Sequence, residues 1–418
     1  MGHYLNPGSE GFRKMVNSDI YIDKTGILKY TNRVLNTMQN YLCVSRPRRF
    51  GKSMTATMLA AYYSCEGNSG GLFSPFEIAK DESFEKYLNQ YDTVFLNMQE
   101  FLSQSRDMDG MLDLLRRSVL WELLEKYPDF RYFDKTNLTR TMRDIYAGSK
   151  RPFVIIIDEW DCIFREYKED IKMQKQYLDF LRDLLKDKEY IHLGYMTGIL
   201  PIKKYGTHSA LNMFDEFSML DPGPLASCVG FTEREVEKLC VRYGMEMEEV
   251  KNWYDGYFFE TEKHVYNPRS VVSCMRFGKI GNYWNQTETF EALQVYIDMN
   301  FDNLKDDILS MIAGEKIPVN TGSFANDMTT FRTEDDVLTL LIHLGYLAYD
   351  AVTGRAFIPN SEVRSEFVNT VSVSDWGEVS KALKDSADTL NAIWQGKRIC
   401  RYGIYSEEAF PGNTGVGN

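Results

Sequence analysis

Tyr41-Leu42-Cys43-Val44-Ser45 runs straight into Arg46-Pro47-Arg48-Arg49-Phe50-Gly51-Lys52-Ser53, and the reading of that join decides the fold. The first segment is apolar enough for a buried strand, and the stretch through Ala61 beyond the loop reads as a helix. A loop that holds phosphate in such a setting needs backbone N–H groups around the anion. It also needs a lysine for the β/γ oxygens and a Ser or Thr hydroxyl for magnesium. Gly51-Lys52-Ser53 supplies the second half of that pattern. The first glycine is absent, because Arg46 occupies its position.

Further along, Phe153-Val154-Ile155-Ile156-Ile157 is nearly all β-branched and ends in the adjacent carboxylates Asp158 and Glu159. A strand of that kind is covered on both faces. In a phosphoryl-transfer site Asp158 holds magnesium, through water or near Ser53, and Glu159 polarises the attacking water beside the γ-phosphate. Asp158 follows Lys52 by 106 residues, ample for the strands and helices between them. The plainer alternative is a buried strand with a solvated polar end. Thr197 follows another apolar strand, Tyr190 to Met196, where ATPases with an inserted strand place a γ-phosphate sensor. It reads equally as a turn residue before Gly198.

Thr93–Met98 is a further strand, residues 108–126 a helix, and Tyr177, Phe180, Leu181, Leu184 and Leu185 repeat at helical spacing. Strands alternating with helices predict a parallel α/β sheet. The pattern changes at Leu220-Asp221-Pro222-Gly223-Pro224. We therefore expect an ATPase domain over 1–222, a helical, winged-helix-like extension over 223–396 and an irregular tail over 397–418. In the extension Thr232 and Glu235 form a capping box, and Thr333 caps a segment carrying Val337, Leu340, Leu341 and Leu344. Tyr346–Tyr349 and Ala356–Ile358 then read as a two-strand wing.

The 418 residues include 48 basic and 60 acidic ones, a net charge of −12. That balance argues against whole-surface binding to DNA or anionic membrane and leaves room for a local basic site. No apolar run approaches the roughly 18–20 residues of a membrane-spanning helix. The Met1–Asn6 start carries no basic, then apolar, leader, and Asn6 stands where N-myristoylation wants Ser or Thr. A cytoplasmic location is expected. The seven cysteines include no Cys-x-x-Cys pair and the five histidines no ligand-spaced partner, so no metal site built from side chains alone is expected.

Arg46–Ser53 resembles the variant P-loop of the predicted AAA-ATPase-like family, found widely in anaerobic bacteria. The resemblance extends through Tyr21-Ile22-Asp23-Lys24-Thr25, Ile157-Asp158-Glu159-Trp160-Asp161 and Thr197-Gly198-Ile199-Leu200-Pro201-Ile202. It continues with Ser209-Ala210-Leu211-Asn212, Trp253-Tyr254-Asp255-Gly256-Tyr257 and Tyr266-Asn267-Pro268, to about residue 395. It implies an AAA-like P-loop sheet, and in such proteins the missing first glycine is normal. The family layout continues into a PD-(D/E)xK-type nuclease domain. No Glu-x-Lys or Asp-x-Lys strand follows residue 350, so that chemistry is not expected here. The irregular end fits a truncation or a shifted reading frame.

The expected activity is magnesium-dependent ATP hydrolysis driving or gating a conformational change. Arg48, Arg49, Phe50, Gly51, Lys52, Ser53 and Met54 would cradle ATP. Ser53 and Asp158 would hold Mg2+, and Glu159, Lys52 and Thr197 would act in catalysis. The rivals are a nucleotide-gated scaffold with negligible hydrolysis and a nucleic-acid module acting through the wing. Self-association and a macromolecular partner of unidentified type are left open.

One of Arg46, Arg48 and Arg49 is a candidate charge stabiliser, while two of the three are expected to be solvated or paired with acids such as Glu10 or Asp23. Lys203, Lys204 and Arg269 are finger-type candidates, each more simply a surface charge. Residues 253–257 read as a packed hairpin turn rather than a recognition patch. Asp306-Asp307 and Asp335-Asp336 read as helix-start charges.

Overall fold

A computed structural model describes residues 2–202, 211–284, 290–299, 301, 303–325, 331–373, 398–400 and 403–405. The chain forms two compact units, one of residues 1–284 and 301–363, the other of residues 285–300 and 364–418.

The first unit is built on a five-stranded sheet of β1 (Tyr41–Ser45), β2 (Asp92–Asn97), β3 (Phe153–Asp158), β4 (Ile191–Gly198) and β5 (Asp215–Phe217). Its order is β2-β3-β4-β1-β5, with every neighbouring pair parallel. β1 and β3 are buried at every position, which is why their sequences show unbroken apolar runs instead of alternation. β5 left no such signal: Asp215 and Glu216 are exposed, as an edge strand allows.

β4 is inserted between β1 and β3, as expected of Tyr190–Met196. Thr197 therefore lies opposite Val44 on one side and Asp158 on the other. The helix Lys52–Tyr63 follows β1. The helix Ile171–Leu185 buries Tyr177, Phe180, Leu181, Leu184 and Leu185, as their spacing predicts. Asp107, Asn137 and Asp170 each cap a helix of this layer by accepting a main-chain N–H.

Beyond residue 222, β6 (Phe231–Thr232) pairs with β7 (Val265–Tyr266). The Thr232/Glu235 capping box opens the helix Glu233–Tyr243. Val236, Leu239, Val250, Tyr254, Val271 and Cys274 from three successive helices share one core with Ile20. The helix Glu334–Leu344 is followed by the expected wing. β8 (Ile317–Pro318), β9 (Ala348–Asp350) and β10 (Arg355–Phe357) form an antiparallel sheet in the order β8-β10-β9.

Two local expectations are corrected, at Thr333 and at residues 253–257. Thr333 stands at the N-cap but makes no side-chain capping bond. Asp336, in that first turn, is buried and accepts from Ser323 Oγ and the Arg332 N–H, both at 2.8 Å. Residues 253–257 are not a hairpin turn. Trp253 and Tyr254 end the helix Met247–Tyr254, and Tyr257 bridges to Val265. Gly256 makes the bend at φ +117°, where a Cβ would sit 2.0 Å from the Pro359 carbonyl oxygen.

In the second unit the helix Phe290–Ile297 buries Leu293, Tyr296 and Ile297. Within the segment expected to be irregular, β11 (Arg398–Cys400) pairs antiparallel with β12 (Gly403–Tyr405). Among the described residues no helix is long and apolar enough to cross a membrane.

Candidate nucleotide site

β1 delivers the chain to the loop with Ser45 buried, its hydroxyl donating to the Leu200 carbonyl at 2.9 Å. The loop reverses through two left-handed residues, Arg49 at φ +68° and Gly51 at φ +94°. A Cβ on Gly51 would meet nothing within 4 Å, so the glycine answers the backbone conformation and the space beside it is open. Lys52 then starts a 12-residue helix whose free N–H groups and dipole favour an anion at that end.

Lys52 is buried, and its Nζ folds back to donate to the Pro47 carbonyl at 2.9 Å. Burial pulls its pKa down, against the opposing pull of Glu159, Asp161 and Asp158. Ser53 and Met54 are exposed in the first helical turn.

Asp158 ends β3, directly opposite Thr197 across the ladder. It accepts the Glu159 N–H at 3.0 Å, and Ser53 lies close enough to hold its pKa down. Burial raises its pKa to about 6 and the Glu159 charge adds to that, while Ser53 and Lys52 pull the other way. A buried carboxylate beside a hydroxyl is an oxygen donor set suited to Mg2+.

Glu159 adopts a left-handed conformation at φ +54°, and its carboxylate is bonded to Arg165 Nη2 instead of lying free in solvent. Arg165 comes from the short helix Cys162–Glu166, and its Nε lies 3.4 Å from Asp161 Oδ2. Burial works against that charge, yet Asp161 and Glu159 leave the guanidinium more firmly protonated than usual. Asp161 Oδ2 also accepts the Ile199 and Leu200 N–H groups at 3.0 and 2.8 Å. A Cβ at Gly198 would lie 2.6 Å from Asp161 Oδ1 and 2.7 Å from the Trp160 ring, so close packing of the two strand tips requires glycine there. Thr197 is buried, and its hydroxyl donates to the Val44 carbonyl at 2.9 Å.

The three loop arginines part company. Arg48 and Arg49 are exposed. Arg46 is neither solvated nor paired with an acid: it is fully buried and donates to the carbonyls of Ser45, Phe217, Ser218 and Leu225. Glu10 pairs with Arg13, and Asp23 accepts from Thr25 and the Glu77 N–H. Phe50 is buried, its ring 5.2 Å from that of Tyr257. Lys203 and Lys204 lie outside the described residues. Arg269 is exposed in the first turn of the helix Pro268–Phe277, whose cap residue Asn267 reaches the Arg48 carbonyl at 3.5 Å. Sequence reasoning gave Asp161 no role and missed Arg165, although their i, i+4 spacing beside the acidic strand was a usable signal.

The loop, its lysine and hydroxyl, and the acidic strand tip all gather at the carboxyl end of a parallel sheet, the ligand side of open α/β folds. This is the AAA-like P-loop ATPase architecture, a nucleotide-binding class. Residues 7–207 match the family described as predicted AAA-ATPase, and that segment holds both the loop and the acidic strand.

An uncharacterized protein of the vnfD 5' region of Azotobacter chroococcum mcd 1 is 24% identical over 294 residues. The match takes in 68% of this chain and 54% of the relative, so the chain spans about half the relative's length. The Aeropyrum pernix ORC2 protein, solved in ADPNP and ADP complexes, aligns at a TM-score of 0.34 with 11% identity, covering 87% of this chain and 97% of that one. The replication initiator DnaA, solved with AMPPCP and single-stranded DNA, aligns at 0.33 with 8% identity, covering 89% and 96%. At these scores neither alignment carries an argument. The class rests on the sheet order and the family match.

Proposed function

We propose that the protein is a cytoplasmic, magnesium-dependent ATPase that hydrolyses ATP to ADP and phosphate and thereby repositions the region after residue 222. The observation that carries this reading is the meeting of Lys52, Ser53, Asp158 and Glu159 at one helix N-terminus.

The backbone of Arg48 to Met54 wraps the phosphates, and Lys52 exchanges the Pro47 carbonyl for the β/γ oxygens. Ser53 and Asp158 would hold Mg2+, which when bound neutralises charge on the phosphates. Glu159 orients the attacking water and takes its proton. Thr197, with its hydroxyl on Val44, keeps the β4 tip in register with the loop strand.

The bond between Arg165 and Glu159 favours a second reading, a nucleotide-gated scaffold that binds ATP and turns it over negligibly. Phosphate release at saturating MgATP, measured beside ATP affinity, separates the two. Turnover abolished by Glu159→Gln supports the ATPase, and tight binding without turnover supports the scaffold. A chain that does not bind MgATP overturns both.

A further inference from the structure

Arg46, the residue in place of the first loop glycine, is fully buried. Arg46 Nη1 donates to the Phe217 and Ser218 carbonyls at 2.9 and 3.1 Å, and Nη2 reaches the Leu225 carbonyl at 3.5 Å. Its guanidinium sits 5.3 Å from the centre of the Phe259 ring. Burial lowers its pKa only to about 10, so it remains a cation near neutral pH. Arg46 is not among the left-handed residues, so its backbone makes no demand for glycine.

The rest of the loop is fastened in the same direction. Pro47 packs so closely on Gly345 that a Cβ there would lie 2.7 Å from its ring. Tyr257 stacks edge-on against Phe50 and donates its hydroxyl to the Gly345 carbonyl at 2.6 Å. Asn267 reaches the Arg48 carbonyl. Lys52 holds the Pro47 carbonyl from within the loop. A phosphate-binding loop is therefore clamped between its own helix and segments from residues 217–225, 257–267 and 345.

We propose that Arg46 is a positioning residue that shapes the phosphate loop by tying it to these later segments, so that nucleotide affinity and their seating are one linked equilibrium. The proposal rests on the reading of the loop as an ATP site. Linkage is reciprocal: whatever unseats the later segments weakens ATP binding, and ATP tightens their seating. Replacing Arg46 by the glycine of the usual motif removes the tie, takes its donors from the Phe217 and Ser218 carbonyls while Leu225 keeps the Cys228 N–H, and loosens the loop.

The test uses the full chain and MgATP. Arg46→Gly should weaken affinity by about tenfold or more, within the usual range of coupling between sites, and raise KM while kcat at saturation moves far less. Arg46→Lys should recover part of the loss, because an ammonium still donates to carbonyls. Tyr257→Phe, outside the loop, should weaken affinity by about threefold to tenfold through the Gly345 contact. In the parent, MgATP should slow amide exchange in residues 217–225 and 257–267 as well as in the loop.

Parental or tighter affinity in a folded Arg46→Gly chain overturns the proposal. If that variant does not fold, the exchange measurement on the parent decides: protection confined to the loop refutes the linkage. A parent that binds no MgATP refutes the ATP-site reading itself, a different outcome from either.

Discussion

Arg165 bonds the Glu159 carboxylate through Nη2 and lies 3.4 Å from Asp161 Oδ2 through Nε. Asp161 in turn receives the Ile199 and Leu200 amides, so one guanidinium ties the tip of β3 to the tip of β4. A carboxylate held by a cation is a weaker base than a free one. Arg165→Met should therefore raise phosphate release at saturating MgATP by about tenfold, the scale of one charge-assisted hydrogen bond. A rate that falls instead would make Arg165 a support of the base. The same variant should lower Tm, because the buried Asp161 loses its cation.

Lys52 and Glu159 separate binding from chemistry. Lys52→Ala should weaken MgATP binding by removing a contact worth about 1.5–3 kcal/mol. Glu159→Gln keeps the shape but cannot take a proton. It should leave affinity equal or tighter while hydrolysis falls by about 10²–10⁴-fold. Isothermal titration beside a phosphate-release assay reads both, and parental turnover in Glu159→Gln would remove Glu159 as the base.

Asp158 makes the site sensitive to acid. Its native pKa of about 6 lies above the ordinary 3.8, so between those values the folded chain binds a proton that the unfolded chain has released. By linkage the metal-free chain loses stability as pH rises through that window. A Tm series over it should show the decline, and Asp158→Asn should flatten it. Magnesium demands the anion, so Mg2+-dependent ATP affinity should fall by about fourfold from pH 7.5 to 5.5, beyond any change seen in Asp158→Asn.

Gly256→Ala should destabilise the fold by about 2–4 kcal/mol, because the new methyl meets the Pro359 backbone at a φ that disfavours side chains. Chemical denaturation checks this. A loss under about 0.5 kcal/mol, the ordinary surface range, would mean that the 359 segment moves aside freely.

A chain ending at residue 396 should bind MgATP as the parent does, since residues 397–418 carry no part of the loop or the acidic strand. Equilibrium binding to both chains decides it, and a lost affinity would place a nucleotide contact in that tail.

The architecture of the N-terminal segment was legible because its determinants are local. An unbroken β-branched run such as Phe153–Ile157 survives only where both faces are covered, and Gly51-Lys52-Ser53 between a strand and a helix leaves few uses. The capping box at Thr232 and the helical face of Tyr177 to Leu185 were legible for the same reason. β5 was not, because an edge strand needs no apolar run. Nor was the bend at Gly256, since Asp-Gly fits a hairpin turn as well as a helix end, and the Pro359 carbonyl that forces glycine lies about a hundred residues away.

The sequence by itself determined which groups gather at the proposed nucleotide site: Lys52, Ser53, Asp158 and Glu159 follow from two short motifs whose chemistry is set by residue type and neighbours. Only the tertiary structure decided what restrains them. Arg46, Arg48 and Arg49 look alike in sequence, yet Arg46 is buried against carbonyls more than 170 residues away while the other two are exposed. Glu159 reads as a free base until Arg165 is seen on it. A charge's role depends on the dielectric around it and the partners within about 4 Å, and both are set by segments that only folding brings together.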